Sequence, residues 1–79
     1  MTAEFSDEQV GKRVIDRRGN VIGTVSEVRD GELYVELGPD ADRETLDDLG
    51  WGRIVNQEVH HLEARFVTDT TDETVRLRV

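Results

Sequence analysis

Two adjacent histidines, His60 and His61, and two sets of neighbouring carboxylates, Asp40 with Asp42 and Asp47 with Asp48, are the side chains best suited to chemistry in this chain of 79 residues. A metal ion needs ligands that converge on one point, whereas neighbouring residues on a strand face opposite ways. The two histidines are therefore expected to divide into one partly buried ring and one solvated ring. Acid–base catalysis needs carboxyls that meet in a pocket with separated pKa values, and these aspartates sit in an acidic run that reads as a solvated face. No cysteine is present, so there is neither a disulfide nor a thiolate ligand. No serine has a plausible base beside it, and "GNVIG" lacks both the Lys-Ser/Thr ending and the following long helix of a phosphate-binding loop. The expectation is a protein that is not an enzyme and carries no metal or cofactor.

Composition narrows the partners further. Eighteen acidic residues against ten basic ones give a net charge of -8, and Lys12 is the single lysine. A field of that sign repels phosphate backbones and anionic lipid surfaces, which argues against nucleic acid and against a membrane surface as primary targets. A surplus of Asp and Glu with almost no Lys also suits a salt-rich cytoplasm, where short screening lengths suppress self-repulsion. No apolar run approaches the ~20 residues that span a bilayer, and "MTAEFSDEQVGK" lacks the basic start and apolar core of a signal peptide, so a cytoplasmic location is expected. A chain this small without disulfides leans on close packing or on self-association, and a homodimer is expected.

The elements that would position these residues are mostly strands. "FSDEQVGK" reads as one helical turn, with Ser6 and Gln9 at capping-box spacing, Gly11 as a left-handed stop, and Phe5 and Val10 placed as a hydrophobic staple. A strand over 13–16, a turn at "RRGN" that needs Gly19, and a strand over 21–29 follow. In the second strand Ile22, Val25 and Val28 are spaced by three, which demands a register shift, and Gly23 is the expected bulge. "RDGE" then supplies the Asp-Gly hairpin signal through Gly31, and "LYVEL" alternates Leu33, Val35 and Leu37 inward with Tyr34 and Glu36 outward. Pro39 stops that strand. Asp40 or Asp42 caps a short acidic helix carrying Leu46 and Leu49 and ended by Gly50. Two or three further short strands are expected after it, with a helical turn near 63–65. The spacing thus predicts a mainly β domain of five to six short strands with one short helix.

The run "GKRVIDRRGNVIGTVSEV" resembles the opening of a PRC-barrel domain, through Gly11, Lys12, Val14, Asp16, Gly19, Ile22, Gly23 and Val25. "DGELYVEL", "LGWG" and the ending "DTTDETVRLRV" are further similar to the small stand-alone PRC-barrel proteins of haloarchaea. The resemblance covers most of the chain and implies a single barrel domain over 1–79 that binds other proteins. Those relatives include cell division protein B, which dimerises and acts as an adaptor for SepF at the division ring. It therefore implies a homodimeric, non-enzymatic adaptor in archaeal cell division, with a SepF-like protein or another PRC-barrel protein as partner. The alternative implied by other family members is a module in RNA processing or ribosome maturation. The helix "RETLDD" departs from the lysines of typical relatives, so the partner surface is not carried over with the fold. Leu46, Leu49 and Trp51 lie outside the strand order and are expected to form the dimer or partner contact, with a lid over the small core as the other role open to Trp51.

The charge carries its own test. Stability should rise between 0.1 M and 1 M salt as the screening length falls from ~10 Å to ~3 Å, and melting temperatures across that range decide it, a flat response meaning that the acidic residues are neutralised by the arginines.

Overall fold

A computed structural model of the chain describes residues 5–39, 41–51 and 59–79. Asp40, one of the two expected caps, and Gly52 of "LGWG" lie outside the described residues. The fold is mainly β. Among the described residues six strands, β1 (Arg13–Ile15), β2 (Val21–Arg29), β3 (Glu32–Leu37), β4 (Val59–Leu62), β5 (Val67–Thr70) and β6 (Thr74–Leu77), accompany one short helix, α1 (Arg43–Asp48). Short 3-10 turns cover Asp7–Gln9 and Ala64–Phe66.

The strands form a single sheet in the order β4-β3-β2-β1-β6-β5, whose hydrogen bonding among the described residues does not close into a ring. All pairings are antiparallel except β1 with β6, which run parallel with Val14 opposite Val75. The opening meander is therefore extended at its first strand by the last one. Asp30 and Gly31 both take positive φ, 54° and 79°, so the β2–β3 turn has the left-handed centre that matches strand twist. Gly19 is also left-handed, with φ 90°.

Gly23 differs from expectation. Its φ is not positive, and it sits in register between Val14 and Leu37. The extra residues of β2 are instead Ile22 against β1 and Ser26 against β3, and these two irregularities account for the spacing of three. What Gly23 supplies is room: a Cβ there would overlap the Glu36 carbonyl oxygen and lie 3.0 Å from Val35 Cγ1. The staple also differs, since Phe5 packs on the core while Val10 remains 46% exposed. Ser6 makes no side-chain capping bond.

The core joins Val14, Ile22, Val25, Leu33, Val35, Leu62, Val75 and Leu77 of the sheet to Leu49 and Trp51. The expectation that Leu46, Leu49 and Trp51 would stand outside as a contact surface needs correcting on this point. Leu49 and Trp51 are 6% and 7% exposed in the single chain, and Leu46 is half-buried. The reason is the helix end. Asp42 Oδ1 accepts from the Glu44 N–H at 3.1 Å to start α1. At the other end Gly50, with φ 81°, lets its N–H reach the Asp47 carbonyl and the Trp51 N–H reach the Leu46 carbonyl at 2.8 Å. That paired closure is a Schellman motif, which turns the second residue past the helix back toward its apolar face.

Gly23→Val should lower stability by several kcal/mol, on the order of 3, because backbone rather than a side chain blocks the new atoms. A chemical denaturation midpoint equal to that of the parent would mean that β2 and β3 separate freely at this pair.

Candidate protein-interaction surface

The outward side of β2, β3 and β4 gathers the surface groups with the most recognition chemistry, Arg29, Glu32 and His61 exposed and Tyr34 and Glu27 half-buried. Tyr34 on β3 stands opposite His61 on β4 and Glu27 on β2, while Arg29 stands opposite Glu32. The Ser26 irregularity sets this alignment, because without it Glu27 would fall out of step with Tyr34. The Tyr34 and His61 rings lie 5.4 Å apart with a 35° tilt. Arg29 Cζ sits 5.5 Å from the centre of the Tyr34 ring, and its guanidinium donates to Glu27 Oε1 at 2.8 Å. His61 Nε2 is 3.4 Å from Glu32 Oε1. Each contact is worth only ~1 kcal/mol or less at the surface. Their common effect is to hold an aromatic ring, an imidazole and a guanidinium in one arrangement.

The two histidines divide as their adjacency requires. His61 is exposed, and His60 is 1% exposed and stacked on Trp51 with ring centres 4.9 Å apart and planes 21° from parallel. They do not meet at one point, and among the described residues no three His, Asp or Glu side chains are grouped to hold a metal ion. Asp47 and Asp48 are exposed on α1, and Asp42 is spent on capping. The turn residues Gly19 and Gly31 shape the backbone beside these groups and present no side chain of their own.

One buried polar residue passed unremarked as a candidate although its position was visible. Asp16 is 1% exposed. Its Oδ1 accepts the N–H groups of Arg18 and Asn20, each at 2.9 Å, and its Oδ2 accepts Thr45 Oγ1 at 3.2 Å and Asn20 Nδ2 at 3.4 Å. The first two bonds fold the β1–β2 turn, and the Thr45 bond ties that turn to α1. Burial pushes the Asp16 carboxyl up, but the backbone bonds from Asn20 and Arg18, with those from Thr45 and the Asn20 side chain, outweigh it and hold the group below the usual carboxylate range. The polar cavity next to it measures about 40 Å³, room for little more than a water molecule. Asp16 is a tie between elements, joining the β1–β2 turn to α1. Its signal in the sequence is an Asp two residues before "RGN", the spacing of a side chain that closes its own turn.

A family model matches residues 4–77, from just before the first turn to the end of β6. The chain belongs to the family of unknown function DUF8593. The matched span takes in the Asp16 tie, α1 and the Tyr34 face together. No curated protein matches the chain.

Because its folded pKa is lowered, Asp16 contributes stability that is fully present above the ordinary carboxylate range and is lost as pH falls below about 4 through the folded value. Asp16→Asn keeps an acceptor for the two backbone N–H groups but removes the titration. Denaturation midpoints at pH 7 and pH 3 should differ more in the parent than in Asp16→Asn, the comparison cancelling the general relief of acidic repulsion; equal differences would mean that the carboxylate is not held low.

Proposed function

We propose that this domain is a non-enzymatic protein-interaction adaptor. The observation that carries the reading is the ordered Tyr34, His61 and Arg29 cluster on the outer face of β2, β3 and β4. Tyrosine and arginine are the residues on which interface energy concentrates, and side chains already fixed by their neighbours lose little freedom on binding. The charge supports the same reading, since a surface of net -8 suits a protein partner with basic groups better than a phosphate backbone. The sequence resemblance to haloarchaeal PRC-barrel proteins supplies a setting: a cytoplasmic homodimer that links a SepF-like protein to the division site. In that setting the contact lies on the Tyr34 face, because Leu49 and Trp51 are already covered by the chain's own core.

Calorimetry of the purified protein with a purified SepF-type protein, in high salt, tests both parts. Binding is expected, and Tyr34→Ala should weaken it by about 2 kcal/mol, roughly thirtyfold, with an unchanged circular dichroism spectrum. Absence of binding by the parent removes the division setting. A folded Tyr34→Ala protein that binds as tightly as the parent removes this face from the contact.

A further inference from the structure

β5 ends the strand order, so among the described residues no strand lies along its outer side. The groups left over there follow from the β5–β6 hairpin. The Thr71 N–H donates to the Thr74 carbonyl, and alternation along an antiparallel ladder then turns the N–H and carbonyl of Thr70 away from β6. Thr68 is the extra residue of the register shift between Val67 and Asp69, and Thr68, Asp69 and Thr70 are all exposed. Beside this edge lies a cavity of about 250 Å³ lined by Phe5, Ala64, Val67, Thr68, Asp69 and Thr70.

The charge along the edge is only partly offset from within, by Lys12, whose ammonium donates to the Thr71 carbonyl at 2.6 Å in the turn that holds Asp72 and Glu73. Asp69 stands opposite Arg76, but the Arg76 guanidinium donates to the Arg17 carbonyl at 3.3 Å instead. Among the described residues Asp69 has no ion pair, nor do Asp72 and Glu73 in the turn that follows. A register shift and a charge are the means by which edge strands avoid pairing with copies of themselves. Two β5 edges brought together would set these carboxylates against each other, with -8 on each chain. A strand of opposite character meets no such barrier.

We propose that the β5 edge is a strand-addition site for an extended peptide segment that alternates apolar and basic residues. Its backbone would bond the outward groups of Thr70. Its apolar side chains would enter the cavity under Phe5 and Val67, and its basic side chains, on the other face of the strand, would lie beside Asp69. This surface is separate from the Tyr34 face and its existence does not depend on that face.

The probes are two short labelled peptides, one alternating valine with lysine and one alternating valine with glutamate. They are titrated into the full chain at the lowest salt that preserves its circular dichroism, with amide spectra recorded in parallel. The lysine peptide should bind and shift the amides of β5, and the glutamate peptide should not. Asp69→Lys should weaken the lysine peptide about tenfold. Thr70→Pro should fold, because proline is tolerated where an edge N–H faces solvent, and should lose binding. Equal binding of the two peptides, amide shifts centred away from β5, or unchanged binding by Asp69→Lys overturns the proposal. So do a Thr70→Pro chain that unfolds, which places that N–H on the β6 side, and a parent that pairs with itself through β5 in preference to taking the peptide.

Discussion

A helix of six residues holds no structure by itself in water, since nucleation costs more than so few bonds return, and yet the core of this domain is closed by one. α1 persists because it is tied at three points: the Asp42 cap at its start, the Thr45 hydroxyl on the buried Asp16 carboxylate in its middle, and the Leu46–Trp51 closure at its end. The third tie brings Trp51 onto His60, and so joins α1 to β4. The second joins it to the β1–β2 turn. The open sheet thereby gains a cover without a ring of strands, and the apolar residues of all its central strands share one interior. Asp16 is the element on which this depends most, because one side chain fixes both the turn that pairs β1 with β2 and the helix that covers them.

That arrangement also explains which residues are left for other work. With Leu49 and Trp51 inside, the aromatic and cationic groups at the surface are those set by strand register. Tyr34 meets His61 only because β3 pairs with β4 at that offset, and Arg29 reaches Tyr34 only because Ser26 advances β2 by one residue. A one-residue slip in either pairing would send these side chains to the other face. The Tyr34 face and the core are thus two readouts of the same registers, and a change that disturbs one disturbs the other.

Local signals in the sequence were read well where the chain decides its own conformation within a few residues. The Asp-Gly turn, the extent of β2, the alternation of "LYVEL", the helix stop at Gly50 and the division of His60 from His61 all follow from neighbours along the chain. The parallel pairing of β1 with β6 was not legible, because it joins residues about sixty apart and leaves no mark on either segment. Gly23 was legible as a required glycine, through positive φ or close approach, and the position of the Glu36 carbonyl decides for close approach, with the bulge itself at Ile22 and Ser26. For Trp51 the sequence leaves a contact surface and a lid over the core both open, and the single chain takes the lid, since the sheet leaves a face for the helix end to cover. The Tyr34 face could not be assembled beforehand, since its members come from three strands and the offset of β2 against β3 depends on the irregularity at Ser26.

The strand order separates the two surfaces that a binding role would use. The Tyr34 cluster occupies β2, β3 and β4 at one end, and β5 lies at the other, with β1 and β6 between them. On the adaptor reading this spacing has a direct consequence, because one small domain can engage two partners only if neither blocks the other. The intervening strands are held by the pairing of Val14 with Val75 and by the backbone bond from Arg17 to Val79, both of which depend on the last residues of the chain packing beside its first strand. A partner on β5 therefore pulls on the same β6 that anchors β1, and β1 in turn ends at Asp16. The two surfaces are joined by the strand ladder through β6, β1 and β2, and the Asp16 bonds to Arg18 and Asn20 hold the turn at which β1 passes into β2.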